Sequence, residues 1–341
     1  MLEQIPLGKL PPDLLKQVFQ SFPIFDNRVV QGPGIGMDCA IIDNGANYLV
    51  LKTDPITFVS DQIGWYAVQI VVNDLVTSGA VPKWILATLL LPEGKTTTDS
   101  LFEISNQFAA TCKQLNISII GGHTEITYNL DRPIFVSTLI GEVNKNEFIS
   151  PKGSQPGNDI LVTKEIPIET IAILARQLPQ KLESFLSPED METAKNYLFH
   201  PGISVYDDAK IAINAGTVTA MHDPTEGGIA SALWELAEAS NKTLQINSEL
   251  IPISAFAKQI CTQLSINPLE SIASGSLLLT TDPKDTRKII LSLAEKNIPC
   301  RKIGAVMPGK PLVIDTCNNS ILPRPIQDQI TGFFDNNIQE S

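Results

Sequence analysis

Basic residues are in short supply in this chain. Lys and Arg number 25 against 37 Asp and Glu, for a formal net charge of −12 and a pI of about 4.8. That balance argues against nucleic acid or an anionic membrane as the main partner. It leaves room for an anionic small substrate, because a bound divalent ion inverts the local field. Histidine is scarcer still, with three scattered copies, which argues against a His-rich metal centre. The five cysteines (Cys39, Cys112, Cys261, Cys300, Cys317) form no CxxC pair. Their odd number and wide spacing predict free thiols in a reducing cytosol and neither a disulfide framework nor a zinc site. Long apolar runs are missing: the longest, Trp84–Pro92, falls far short of the roughly 20 residues a spanning helix needs. The N-terminus has no basic segment followed by an apolar one, so no signal peptide is expected. Neither G-x-S-x-G nor HExxH occurs. These absences predict a cytoplasmic protein with no membrane and no nucleic-acid partner.

What is present is the composition of a globular protein, 43% apolar and 18% charged. At 341 residues the chain is too long for one core of ordinary size, so two domains are expected. The stretch 150–159, dense in Gly, Pro, Ser and Asn, marks the boundary. The predicted division is 1–150, 151–330 and a polar tail over 331–341, with the chain after Pro325 polar and expected to be loosely held. In the first part, 11–21 reads as an amphipathic helix, and 47–55 and 83–92 read as strands ending at prolines. The run Trp65–Val76 reads as a buried helix, because it is apolar on nearly every face. Residues 98–116 form an amphipathic helix with Leu101, Ile104, Phe108 and Cys112 on one face and Thr98 or Asp99 as N-cap. Strands follow at 117–122 and 133–143. In the second part a strand is expected at 160–164 and helices from about 168 and over 204–215. A polar connector (187–202) separates those helices. Residues 223–240 read as a helix opening on Asp223 and Pro224, with Ile229, Leu233, Leu236 and Ala237 on one face. Strands near 277–281 and 311–315 flank a helix at about 284–296. The fold class is α/β or α+β in two comparable domains.

Four constellations carry chemistry. In Gly32–Ala40 ("GPGIGMDCA") glycines 32, 34 and 36 alternate and Asp38 follows. Glycine lets a backbone turn its N–H groups onto phosphate oxygens, and equally it makes a turn. No strand is expected before it and no GK[ST] follows, so it is neither a dinucleotide fingerprint nor a P-loop. The second is a set of aspartates. Asp38 and Asp54 sit at element ends, where a turn role is as natural. Asp74 lies beside Asn73 in the buried helix, where a lone carboxylate costs several kcal/mol unless it is neutralised or meets a cation. Carboxylates without soft ligands suit Mg²⁺, which keeps waters and bridges to phosphates. The third is "IIGGHTEI" (119–126), where a strand runs into Gly121, Gly122, His123 and Thr124; His123 suits a phosphate, a metal or a structural hydrogen bond. The fourth is "HDPTEGGI" (222–229), offering Asp223 and Gly227–Gly228 at a helix start, where anions bind and where Asp223 also suits an N-cap. Lys52 and Lys83 could reach phosphates or be solvated.

Taken together and in this order, these motifs resemble the aminoimidazole ribonucleotide (AIR) synthetase superfamily. It includes thiamine-monophosphate kinase, selenophosphate synthetase and the hydrogenase expression/formation protein HypE. The likeness runs from about residue 8 to 315. "LGKLPPDLL", "KTDPITF", "NDLVTSGAVP", "LLLPEG" and "DRPIF" add to it, and the AIR synthase-related, HypE-like members match best. The resemblance implies a PurM-like fold, in which the N-terminal domain pairs with its twin to form a shared β-barrel. It implies a homodimer binding ATP near that interface, with Asp38, Asp54 and Asp74 as Mg²⁺ ligands. The glycines 32, 34 and 36, Asn73, Gly121, Gly122 and Thr124 would line the nucleotide. Asp223 and Gly227–Gly228 would reach the same cleft, and Asp74, Asp223 and His123 would serve the chemistry. The implied reaction is phosphoryl activation of an unknown small-molecule or protein acceptor.

Three departures stand out. Met37 and Cys39 occupy positions where many relatives carry an acid and an alanine. The chain ends "NNIQES" and lacks the terminal cysteine on which HypE makes a thiocyanate. No Cys stands in the N-terminal loop where selenophosphate synthetase carries its reactive residue. The readings these leave are an ATP-dependent HypE-like enzyme, a nucleotide-binding scaffold without turnover, and a kinase resembling thiamine-monophosphate kinase.

Overall fold

A computed structural model describes residue 5 and residues 7–335. It divides into two compact units. One holds 26–32 and 38–148; the other holds the described residues up to Phe25, Pro33–Met37 and everything from Ile149 on. We call them the N-terminal and C-terminal units.

After helix α1 (Pro12–Gln20) come β1 (Val29–Gln31), β2 (Ala40–Asn44), β3 (Asn47–Ile56), α2 (Ile63–Val76), β4 (Val81–Pro92), α3 (Thr98–Gln114), β5 (Ser118–Thr127) and β6 (Ile134–Asn144). The strands form one six-stranded sheet in the order β1-β2-β3-β6-β4-β5, with only β4 and β5 parallel among its pairs. Helix α2 is apolar all round for a simple reason. It packs between α3 and the strands β3, β6 and β4, and all but Trp65 and Ile70 of its residues are buried. Gly64 allows this. A Cβ there would run into the backbone of α3 at Ile104 and Phe108. The cap of α3 is Thr97, one residue before Thr98 and two before Asp99, the two positions expected. Its hydroxyl accepts from the Ser100 amide (3.1 Å) while Ser100 Oγ accepts from the Thr97 amide (3.0 Å).

The C-terminal unit runs β7 (Asp159–Thr163), α4 (Ile168–Gln177), α5 (Pro188–Asn196), α6 (Tyr206–Ala215), β8 (Val218–His222), α7 (Gly228–Ser240), β9 (Thr243–Ile246), α8 (Ala255–Gln263), β10 (Leu278–Thr281), α9 (Pro283–Ala294), β11 (Cys300–Met307), β12 (Leu312–Asp315), β13 (Ser320–Ile321) and α10 (Thr331–Asp335). Its sheet has the order β13-β12-β9-β11-β7-β10-β8, with β9 and β12 parallel. The expected face of α7 is the one buried: Ile229, Leu233, Leu236 and Ala237 are 0–1% exposed and pack with Ile160, Val162 and Leu244 of the sheet. Burying each such Leu or Ile contributes about 1.5–3 kcal/mol, so Leu233→Ala would cost about 2–5 kcal/mol.

Four expectations need correction. A strand, β1, does precede the glycine run, although it is short and antiparallel. The polar connector 187–202 contains helix α5, started by a Ser187 cap, Pro188 at the first position and acidic Glu189 and Asp190. Helix α7 begins at Gly228 and not at Asp223, because Gly227 and Gly228 hold left-handed φ values of 77° and 62° that break the turn. The segment after Pro325 is held: Asp328, Ile330 and Thr331 are buried, and Asp328 Oδ2 accepts the Gly227 amide at 2.7 Å. Residues 336–341 of the expected tail lie outside the described residues. All five cysteines are free thiols, as expected, and among the described residues no helix is long and apolar enough to cross a membrane.

Candidate functional site

Strand alternation places Val50, Lys52, Asp54 and Ile56 of β3 on one face. Val50 and Ile56 are buried, and that face meets α2. Asp74 lies in the last turn of α2 and is 4% exposed. A carboxylate there opposes the negative end of the helix dipole as well as its own desolvation. The cation that answers it is Lys52. Its Nζ lies 3.2 Å from Asp74 Oδ1 and 3.1 Å from Asp54 Oδ2, and its side chain is 17% exposed. Burial alone would lower the lysine pKa. The charges of Asp74, Asp54 and Asp38 outweigh it and hold the ammonium protonated well above the usual range. Two of the acids read from the sequence, Asp54 and Asp74, thus meet on one half-buried ammonium within one unit, and the charge of Asp38 adds a weaker attraction to it. The sequence marked Lys52 only as able to reach phosphates. The signal that could have placed it was the two-residue spacing to Asp54 on a strand.

Cys39 belongs to this arrangement. It is buried, its Sγ–H donates to the Asp74 carbonyl at 3.5 Å, and its own carbonyl accepts from Gln31 Nε2 at 2.8 Å. The thiol ties the residue before β2 to the end of α2. Asn73 is fully buried beside Asp74. The glycine run is partly a packing device: Gly36 (φ 69°) lies so close to α7 that a Cβ would meet the Glu235 carbonyl at 2.7 Å, and one on Gly34 would meet Met37 Cγ at 2.9 Å.

The third constellation does not sit at a strand end. β5 runs straight through it, so Gly121, Gly122, His123 and Thr124 are strand residues and exposed. Gly122 is required because a Cβ would strike the Ala87 backbone of β4, beside the bulge at Ile85/Leu86. His123 Nε2 lies 3.1 Å from Glu125 Oε2 on the surface. β5 is the sheet edge, three strands from β3, or about 14 Å. The sheet of this chain therefore does not bring His123 to Asp54 and Asp74.

In the C-terminal unit Asp223 is 1% exposed and follows β8. Its neighbour His222 places Nε2 at 2.7 Å from Glu235 Oε2, and Lys9 Nζ meets Glu235 Oε1 at 2.9 Å. Burial would raise the Glu235 pKa, but Lys9 and His222 together pull it well below the usual range. Gly228 packs so tightly that a Cβ would meet the carbonyls of Leu269 and Ser271 at 2.6 Å. Asp328 occupies the amide of Gly227, at the start of α7, where an anion was expected. Neither Lys9, Glu235 nor Asp328 was legible as a partner, since each lies far along the chain from the group it holds.

The molecule is thus a two-domain mixed α/β protein with a carboxylate-and-lysine cluster in its N-terminal unit. The family model for the AIR synthase related protein N-terminal domain matches residues 36–143, and that for the C-terminal domain matches 155–316; the chain belongs to this family, and within it is HypE-like. It is 31% identical over 336 residues to a Methanocaldococcus jannaschii protein described as a hydrogenase expression/formation protein, covering 95% of this chain and 96% of that one. Among solved structures, HypE in a HypE–HypF complex superposes with a TM-score of 0.73 at 22% identity, over 92% of this chain and 99% of that one. HypE in complex with ATP gives 0.69 at 20% identity, over 92% and 90%. These likenesses establish the PurM-like fold.

Proposed function

We propose that this chain is a HypE-like, Mg²⁺- and ATP-dependent enzyme that activates a small-molecule or protein acceptor through the γ-phosphate. The observation that carries the reading is the meeting of Asp54 and Asp74, the latter buried in the apolar helix α2, on one cation position, with Asp38 adding a weaker attraction. A fold alone has no need to bury such a cluster. The donors fit Mg²⁺: all are hard carboxylate oxygens, and the position between Asp54 and Asp74 already accommodates a positive charge. Asp38, Asp54 and Asp74 would hold the ion, whose chemistry is to offset phosphate charge. Lys52 would supply a mobile positive charge to phosphate oxygens, and the apolar wall of α2 would limit water there. The solved HypE–ATP complex, on the same fold, supports the nucleotide. The test is calorimetric titration with ATP, with and without Mg²⁺, followed by phosphate release on the same sample. Binding that needs Mg²⁺, with release, supports an enzyme. Absence of ATP binding overturns the reading.

The same reading includes a homodimer. On the sheet face turned away from α2, Leu49, Leu51, Leu86, Leu90, Val136 and Ile140 are only half-buried. Its edge strand β5 is exposed and carries Ile119, Ile120 and Ile126 at 47–60% exposure. An open apolar face ending in an unpaired edge is a liability in a monomer and suits a second copy. Light scattering at micromolar concentration is expected to give twice the 37.1 kDa chain mass; a monomer mass would refute the dimer.

A further inference from the structure

Two carboxylates on different elements, Asp54 of β3 and Asp74 of α2, point at the same ammonium from 3.1 and 3.2 Å. Asp38 adds a third attraction. The ammonium therefore stands where an ion held by this pair would stand. A divalent cation binds carboxylate oxygens at roughly 2.1 Å, so it cannot join Asp54 and Asp74 while Lys52 Nζ sits between them: the two positive centres would lie within a few ångströms in a desolvated site. Lysine is suited to yield. Its charge is a point on a flexible four-carbon stem, and it can turn to phosphate oxygens without leaving its strand position. Resting on the reading above, we propose that Lys52 is an internal counter-ion that closes the Asp54–Asp74 site to free divalent metal and opens it only when nucleotide phosphates draw the ammonium away. Metal and nucleotide are then coupled through one side chain, and each raises the affinity for the other.

The geometry explains why a lysine should be buried at a metal site at all. Without it, the paired carboxylates of Asp54 and Asp74 would scavenge divalent ions in the absence of substrate. With it, the acids are neutralised and held apart from bulk metal until the nucleotide supplies the replacement charge. Neighbouring Cys39 and the end of α2 fix the two sides of the site, so the movable part is the lysine stem.

The probe is Mn²⁺ alone, followed by the loss of its free-ion EPR signal on full-length protein without nucleotide. The wild type is expected to bind weakly. Lys52→Met is expected to bind at least about tenfold more tightly, within the usual range of coupling factors. Lys52→Met/Asp74→Asn must lose that gain, and Lys52→Arg must keep the site closed. Should Lys52→Met melt early, Mn²⁺ and not K⁺ must restore its melting temperature; no recovery overturns the proposal. It is equally overturned by Lys52→Met binding Mn²⁺ no better than wild type. Wild-type protein that takes up Mg²⁺–ATP while Lys52→Met shows no gain in Mn²⁺ affinity refutes the lock and leaves the functional reading standing. Wild-type protein that takes up no ATP refutes that reading itself.

Discussion

Acids withdrawn from water are handled in opposite ways at two places in this protein, one in each unit. In the N-terminal unit Asp54 and Asp74 share the Lys52 ammonium. In the C-terminal unit Glu169, in the first turn of α4, is 4% exposed beside Ser274. Burial, with the negative charges of Asp328 and Glu226, pushes its carboxyl up to about 7. Asp328 is likewise pushed up to about 6 by burial, despite the amides of Ile330 and Gly227. An acid in an apolar place has two escapes, a cation or a proton. Asp54 and Asp74 take the first, sharing the Lys52 ammonium. Glu169 keeps its proton near neutrality and is a candidate store of pH sensitivity.

The comparison breaks most sharply at Lys52. Removing the ammonium leaves two carboxylates facing each other in a poorly solvated place. Lys52→Met is expected to lose about 3–5 kcal/mol in metal-free urea denaturation; a loss below about 1 kcal/mol would mean that the acids do not depend on it.

Next in size is the pH response. Glu169 has a folded pKa of about 7 against an ordinary 4.5. Between those values the folded state holds a proton that the unfolded state has lost. Stability therefore falls as pH rises from about 4.5 to 7, by of order 3 kcal/mol in all. Glu169→Gln should remove that slope, so its stability relative to wild type is higher at pH 8 than at pH 5. Lys52 has the same sense in a different window: its pKa is raised, so its contribution is complete between pH 4.5 and 7 and is lost only above the ordinary lysine range. Identical pH slopes for Glu169→Gln and wild type would remove the contrast.

The smallest effect is expected at His123. Its contact with Glu125 is a surface pair, with side chains 65% and 52% exposed. His123→Ala should change stability by no more than about 0.5 kcal/mol on the same urea curves. A larger loss would show that β5 is covered by something in solution.

What the sequence made legible follows from range. Helix α2 could be read because a run apolar on every face has nowhere to go but inside, and Asp74 stood out against it. The faces of α3 and α7 were legible from a 3.6-residue period. Glycine pairs misled: at 121–122 and 227–228 they answer close backbone approaches to Ala87 and to Leu269 and Ser271, which no local pattern reveals. Helix α5 was hidden by its polar composition, although Ser187–Pro188 signalled its start. The buried segment around Asp328 and the Lys9–Glu235–His222 chain join residues 101 and 226 positions apart. Periodicity and capping rules act within a few turns and cannot see such pairs. Asp54 and Asp74 of the acid set share one cation, Lys52, which no local pattern assigned to them.

The central claim is that Asp74 is buried in order to hold charge for a nucleotide. Titration of wild type and Asp74→Asn with ATP, with and without Mg²⁺, tests it most directly. The account predicts Mg²⁺-dependent binding by wild type and a loss of about 100-fold, or about 2.7 kcal/mol, in Asp74→Asn with its circular dichroism unchanged. Equal ATP affinity in the two proteins would contradict it.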